Sequence, residues 1–164
     1  MPEEREQKVY EVLTSLGISY QKREHPPVFT VEQAVLHWEG IPGAHCKNLF
    51  VRNKPGNRHY LIIAEHLKKV DIQSIAKKIG DSRLSFASDE RLKRYLGVSS
   101  GEVSPFGLLR DENKEVIVII DAGLRTVPFV SFHPNVNTAT LTVSYADFEK
   151  FLAWRGNKVR VLEF

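Results

Sequence analysis

Apolar residues recur at helical spacing near the start of the chain. Val9, Val12, Leu13 and Leu16 share one face of a helix expected over residues 3–16, and Gly17 supplies its stop. Residues 18–23 read as a short strand. Glu24-His25-Pro26-Pro27 ends it, because proline lacks an N–H and restricts the residue before it. Thr30 with Gln33 forms a capping-box pattern for a short helix to about His37, and Gly40-Ile41-Pro42-Gly43 makes a loop. The period then shortens to that of a sheet. Residues 48–52 and 59–64 are expected strands, and Lys54-Pro55-Gly56-Asn57 between them predicts a hairpin.

Asp71 caps a helix that carries Ile72, Ile75, Ala76 and Ile79 on one face, and Gly80 closes it. Ser88 caps another to about Tyr95. A long irregular stretch follows over residues 97–107, of the kind that often binds ligands. Residues 116–120 are apolar on both faces, the mark of a central strand. Residues 127–132 and 138–143 predict two more strands, joined through His133-Pro134-Asn135. In the second, Thr138, Thr140 and Thr142 alternate with Ala139, Leu141 and Val143, a half-buried pattern. Ser144 with Asp147 caps a last helix bearing Phe148, Phe151, Leu152 and Trp154, and Val159 and Val161 add a terminal strand. Helices and strands mix without a regular βαβ rhythm. The expected class is α+β, with helices around a mixed, largely antiparallel sheet.

Composition narrows the classes. A chain of 164 residues has room for one sizeable core, so one domain over 1–164 is expected. Hydrophobic residues at 42% and charged residues at 26% exclude a disordered class, and the longest apolar runs are too short to span a bilayer. The acidic, polar start Met1-Pro2-Glu3-Glu4 predicts no secretory signal. The single cysteine fits a reducing cytoplasm. A net charge of +3 is compatible with an RNA partner without requiring one.

Most catalytic templates are missing. There is no GxxxxGK[ST] loop, no GxGxxG, no GxSxG elbow, no HExxH and no CxxC. Three segments can carry chemistry. Lys47 sits where a Gly/Pro loop enters an apolar strand. It can hold a phosphate or carboxylate in a cleft, or snorkel at the surface. Cys46 can act as a nucleophile or as a small buried hydrophobe, and His45 beside it points to the opposite strand face. His133 can orient a substrate hydroxyl or cap a turn. The run Ser104, Pro105, Phe106 and Gly107 can present N–H groups to an oxyanion or form an ordinary proline turn.

Three runs carry a resemblance: Cys46-Lys47-Asn48-Leu49-Phe50-Val51-Arg52, Gly101-Glu102-Val103-Ser104-Pro105-Phe106-Gly107-Leu108 and Phe132-His133-Pro134-Asn135-Val136-Asn137-Thr138-Ala139-Thr140-Leu141. In order and spacing the chain resembles the YbaK/prolyl-tRNA-synthetase-associated domain family, and within it the free-standing deacylases of alanyl-tRNA(Pro). The similarity runs over nearly the whole chain. It implies that family's α+β fold and water attack on an aminoacyl-tRNA ester, with no metal or cofactor. The implied partner is the acceptor end of a mischarged tRNA, with transient association with prolyl-tRNA synthetase, and neither membrane nor DNA.

By that resemblance Lys47 matches the essential lysine and His133 the histidine of the His-Pro motif, with Gly101 in the loop near the scissile ester. These are the expected catalytic residues. Asn48, Ser104, Pro105, Phe106, Gly107, Phe129 and Pro134 are the expected substrate contacts, with Phe106 and Phe129 as a steric wall. Cys46 lies outside the family's catalytic pattern. The chain departs from many relatives at Ser99-Ser100, where they carry prolines, and at Asn135, where leucine is frequent. The rival readings are deacylation of cysteinyl-tRNA or another small-residue tRNA, a non-catalytic tRNA-binding regulatory module, and a hydrolase using Cys46.

Overall fold

A computed structural model describes residues 2–28, 40 and 43–164. The helix expected from Thr30 to about His37, and Ile41 and Pro42 of the loop, lie outside the described residues. Helix α1 (Pro2–Ser15) leads into strand β1 (Gln21–Glu24), and β2 (Ala44–Arg52) and β3 (His59–Glu65) form the hairpin. Helix α2 (Ile72–Ile79), the two-residue strand β4 (Ser85–Phe86) and α3 (Asp89–Leu96) follow. A 3-10 turn (Pro105–Arg110) precedes β5 (Val116–Asp121), and a second (Ala122–Thr126) precedes β6 (Phe129–Phe132). Strand β7 (Ala139–Ser144), helix α4 (Tyr145–Arg155) and β8 (Val159–Leu162) complete the chain.

The strands form one mixed sheet in the order β1-β7-β6-β2-β3-β5-β8, with β4 paired to β2. Pairs β1/β7, β7/β6, β2/β3 and β2/β4 are antiparallel. Pairs β6/β2, β3/β5 and β5/β8 are parallel. Strands β3 and β5 are covered on both faces, which explains their unbroken apolar sequence.

Strand β2 divides its side chains by simple alternation. Ala44 and Phe50 enter the larger core, built with Val9, Leu13, Leu92, Leu96, Phe148 and Phe151 of the helices. Val51, with Leu49 beside it, enters a second core on the other face, where α2 lays down Ile75 and Ala76. The helix ends follow the sequence signals. Asp71 accepts from the N–H groups of Gln73 and Ser74 at 3.0 and 3.2 Å, and Ser144 accepts from that of Asp147 at 3.1 Å. At the hairpin, buried Asn53 Oδ1 accepts the N–H groups of Asn57 and Arg58, both at 3.1 Å, which closes the turn.

Three local features differ from the expectation. Strand β2 starts at Ala44, so Cys46 and Lys47 lie inside a strand rather than at its entry. Its extra residues are ordered by partners distant in sequence: Ala44 pairs with Val130 and Cys46 with Glu65. The stretch ending at Gly107 is not wholly irregular, because Ser104 caps and Pro105 opens a 3-10 turn. Strand β4 is too short to show a period. No helix among the described residues is long and apolar enough to cross a membrane.

At the end of the hairpin His59 is buried. Its ring packs on Tyr95 at 4.1 Å and Phe50 at 5.6 Å, and Arg91 Nη1 lies 2.8 Å from its Nε2. Burial, then the charges of Arg91, Arg94 and Arg52, push its pKa from 6.5 down to about 4. The unfolded chain therefore takes up this proton at a higher pH than the folded one. The contribution to stability is complete above pH 6.5 and is lost as pH falls toward 4, by about 3 kcal/mol. Urea midpoints measured from pH 7 to 4.5 should fall more steeply for the native chain than for His59→Phe. Parallel profiles for the two would refute this assignment.

Candidate active site

The face that carries the second core changes character toward β6, β7 and β1. Here His45, Ser131, Thr140 and Thr142 are all buried. Register places them together: His45 lies opposite Ser131, and Ser131 opposite Thr142. The Ser131 and Thr142 hydroxyls share a hydrogen bond of 2.8 Å, and the Thr140 hydroxyl lies 3.0 Å from His25 Nε2. This is a polar floor set into the sheet.

The strand ladder is open at the edge of that floor, which leaves a cleft between β2 and β6. Among the described residues, strands β2 and β6 are bonded only at Ala44–Val130 and His45–Ser131. Strand β6 ends at Phe132, because Pro134 cannot donate to a ladder and Asn135 takes a left-handed φ of 63°. Lys47 and His133 each come two residues beyond the last bonded pair, and alternation sends both to the face of the floor. The two residues that sequence singled out separately thus stand side by side where the pairing of two parallel strands stops.

Lys47 is half-buried, and its Nζ donates to the carbonyl of Lys68. Among the described residues no carboxylate lies within ion-pair distance of it; Lys68 directs its own ammonium to Asp121 at 2.8 Å. The Lys47 charge is therefore held in place without being neutralised, a suitable arrangement for an incoming anion. His133 donates from Nδ1 to the Ala139 carbonyl at 2.9 Å. Burial lowers its pKa, and nearby His25 lowers it further, while the Ala139 hydrogen bond and the Glu102 charge oppose the shift. A neutral ring with Nδ1 protonated leaves Nε2 as an acceptor. The rings of His25 and His133 are 6.0 Å apart.

The loop over residues 97–104 approaches from the other side. Gly101 has φ of 89°, a conformation that favours glycine. Glu102 accepts from Ser99 N–H at 3.0 Å and pairs with Arg5 at 3.2 Å. Ser104 and Pro105 to Leu108 are buried. Ser104 Oγ accepts the Phe106 N–H at 3.1 Å and donates to Asn135 Oδ1 at 3.1 Å, while Asn135 Nδ2 donates to the Phe106 carbonyl at 3.1 Å. Asn135 thus clamps the loop to the turn after β6. The N–H groups of Phe106 and Gly107 are engaged within the turn. Those of Gly101, Val103 and Ser104 have no internal acceptor among the described residues.

The remaining expected residues divide. Gly107 lies under α3, where a Cβ would meet that of Leu96 at 2.9 Å; its absence is a packing requirement. The Phe106 ring is in the larger core against Phe151 at 5.2 Å and Phe132 at 6.2 Å, away from the polar floor. Phe129 is 39% exposed at the start of β6, on the same strand face as Ser131 and His133. Pro134 is buried. Asn48 leaves β2 on the side opposite Lys47, toward the larger core, and its Oδ1 is buried without a partner among the described residues. His25, Ser131, Thr140 and Thr142 were not singled out from sequence as site residues, and His45 entered only as a poorly placed base for Cys46. The threonine alternation on β7 was the available signal, but only the pairing of β7 with β6 and β1 shows that its polar side is covered.

Cys46 points to the larger core, with its thiol 3.6 Å from the Ala44 carbonyl. Burial, opposed by a hydrogen bond from Ser131 and reinforced by Glu65, pushes the thiol up to about 12.

Residues 25–151 match the aminoacyl-tRNA editing domain. The chain is 41% identical over 164 residues to the prolyl-tRNA editing protein ProX of Acetoanaerobium sticklandii, covering 99% of each. It is 33% identical over 155 residues to the prolyl-tRNA synthetase associated domain-containing protein 1 of Bos taurus, covering 93% of this chain and 91% of that one. A solved structure described as a candidate trans-editing enzyme for prolyl tRNA synthetase shares the fold, with a TM-score of 0.73 at 21% identity, over 98% of this chain and 97% of that one.

The buried thiol gives a direct check on the chemistry at β2. At pH 8 a group with a pKa of about 12 carries roughly a thousandfold less thiolate than one at 9.0. Iodoacetamide should therefore modify Cys46 in the native chain about three orders of magnitude more slowly than in the urea-unfolded chain. Comparable rates would mean that the thiol is exposed and reactive.

Proposed function

The chain belongs to the aminoacyl-tRNA editing domain family, and on that premise we propose that it is a free-standing deacylase hydrolysing mischarged alanyl-tRNA(Pro) in trans. The observation that carries this reading is the unneutralised Lys47 ammonium beside a neutral His133 across one polar cleft. An aminoacyl ester is already activated, so positioning and charge stabilisation can suffice without a protein nucleophile. The burial of Cys46 disfavours the cysteine-hydrolase reading.

In this mechanism Lys47 anchors a phosphate of the terminal nucleotide. His133 Nε2 accepts a hydrogen bond from the aminoacyl end and orients it. The N–H groups of Gly101, Val103 and Ser104 face the carbonyl oxygen as it gains charge, while buried Ser104, Pro105, Phe106 and Gly107 hold that loop through Asn135. Asn48 supports the strand edge between β6 and β4, and Pro134 fixes the turn that carries His133. Water adds to the ester carbonyl, and the bond to the terminal ribose breaks. The ribose oxygen leaves with a proton, giving free alanine and tRNA. The whole of 1–164 acts as one domain in the cytoplasm, in transient association with prolyl-tRNA synthetase.

Lys47→Ala removes the anchor while leaving a half-buried strand position that a small residue tolerates. Its single-turnover deacylation of alanyl-tRNA(Pro) should fall by about two to three orders of magnitude, the usual scale of one preorganised electrostatic contact. A folded variant with near-native turnover would remove Lys47 from the mechanism.

Specificity follows from size. A synthetase site built for proline rejects the smaller alanine weakly, because each missing methylene changes binding by only ~1–3 kcal/mol, and a second site can sort in the opposite direction. Phe129 at the rim of the cleft is the wall candidate that the geometry favours over Phe106. Alanyl-tRNA(Pro) should be hydrolysed rapidly and prolyl-tRNA(Pro) little, with cysteinyl-tRNA measured alongside. Equal rates on the alanyl and prolyl esters would exclude a size sieve.

A further inference from the structure

A second cationic site lies at the far end of β2. Arg52 stands directly opposite His59 in the hairpin. Arg91 donates from Nη1 to the Gly56 carbonyl at 3.0 Å and lies 2.8 Å from His59 Nε2. Arg94, three residues along α3 and so on the same helix face, sits over the Tyr95 ring at 5.3 Å, and Tyr95 packs on His59 at 4.1 Å. One layer of side chains thus gathers three guanidinium groups around a single aromatic stack. Among the described residues none of the three has a carboxylate within ion-pair distance, although the chain carries 20 acidic residues. Buried Asp111 is nearby, but its carboxylate is taken up by the N–H groups of Glu115 and Val116 and by Asn157. Arg94 and Tyr95 also line a groove with Arg110, Asp111, Glu112 and Glu115, which marks the limit of the shelf on that side.

We propose that Arg52, Arg91 and Arg94 form a phosphate-binding shelf that docks the tRNA backbone upstream of the ester site. This rests on the deacylase reading for the identity of the RNA. Arg52 and Arg91 are held by main-chain carbonyls but lack a carboxylate among the described residues, and guanidinium groups of this kind match the geometry of phosphate oxygens, which tRNA presents in a continuous row. Arg52 is five residues along β2 from Lys47, about 17 Å at the rise of an extended strand, and alternation sends it to the opposite face of the sheet, so the RNA backbone reaches it around the strand edge left open between β6 and β4. A few nucleotides of single-stranded acceptor end cross that distance. Lys47 then takes a phosphate at the terminus, and the shelf takes phosphates upstream.

The test is filter binding of uncharged tRNA(Pro) across a range of salt, which does not depend on catalysis. Each lost phosphate contact should flatten the plot of log K against log salt by about 0.7–0.9. Arg94→Gln, at an exposed position, should flatten it by about one contact, and the double variant Arg52→Gln/Arg94→Gln by about two. Both should keep the native unfolding midpoint; if the double variant does not, Arg94→Gln alone decides. A native slope in folded Arg94→Gln overturns the proposal, as it would if the shelf served an acidic protein instead. Failure of the native chain to release alanine from alanyl-tRNA(Pro) would sink the deacylase reading, while the salt slopes would still judge the shelf.

Discussion

Strand β2 bonds to β3 along most of its length, but its other edge is divided between two partners. Strand β6 takes Ala44 and His45, and β4 takes Val51 and Arg52. Even-numbered residues direct their main-chain groups to this divided edge, as the bond from Ala87 N–H to the Phe50 carbonyl shows. Between the two partners no strand covers the edge among the described residues. A strand fixed along one side and only partly paired on the other gives a rigid wall beside an opening. The cleft is therefore a consequence of sheet topology, and Lys47 is held by a continuous ladder rather than by a loop.

Polarity at the cleft is organised so that one charge stands out. His133 is kept neutral by burial, with its tautomer set by the Ala139 carbonyl. The hydroxyls of Ser131 and Thr142 satisfy each other. Lys47 brings a full charge to its side of the floor without a carboxylate partner among the described residues. In a partly desolvated cleft such a charge acts more strongly on a phosphate than it would at an open surface. The clamp at Asn135 serves the same order. Where leucine is frequent among the proteins this chain resembles, the Asn135 side chain turns inward and bonds to both Ser104 and Phe106, tying the Gly101 loop to the His133 turn.

The net charge of +3 is not spread evenly. The end of the hairpin concentrates guanidinium groups around His59, whose pKa is lowered first by burial and then by those charges. One strand thus connects two cationic positions, one set into a polar floor and one built on an aromatic stack.

What the sequence determined by itself were the elements whose signals are local. Helical spacing with a cap at each end defined α2, a cap at the start marked α3 and α4, and the Lys54-Pro55-Gly56-Asn57 turn defined the β2–β3 hairpin. The unbroken apolar run of β5 marked a strand covered on both faces. Lys47, His133 and the Gly101 loop were legible through resemblance, because their motifs are contiguous runs. Only the tertiary structure decided that these runs meet. The start of β2 has no pattern of its own and is ordered by Val130 and Glu65, far away in the chain. His45, Ser131, Thr140 and Thr142 are ordinary polar residues in isolation and become a floor only through strand register. Phe106 and Phe129 looked alike as candidate walls, and the fold sent one into the core and left the other at the rim. Burial and register depend on which strands pair across the chain, and no local spacing encodes that choice.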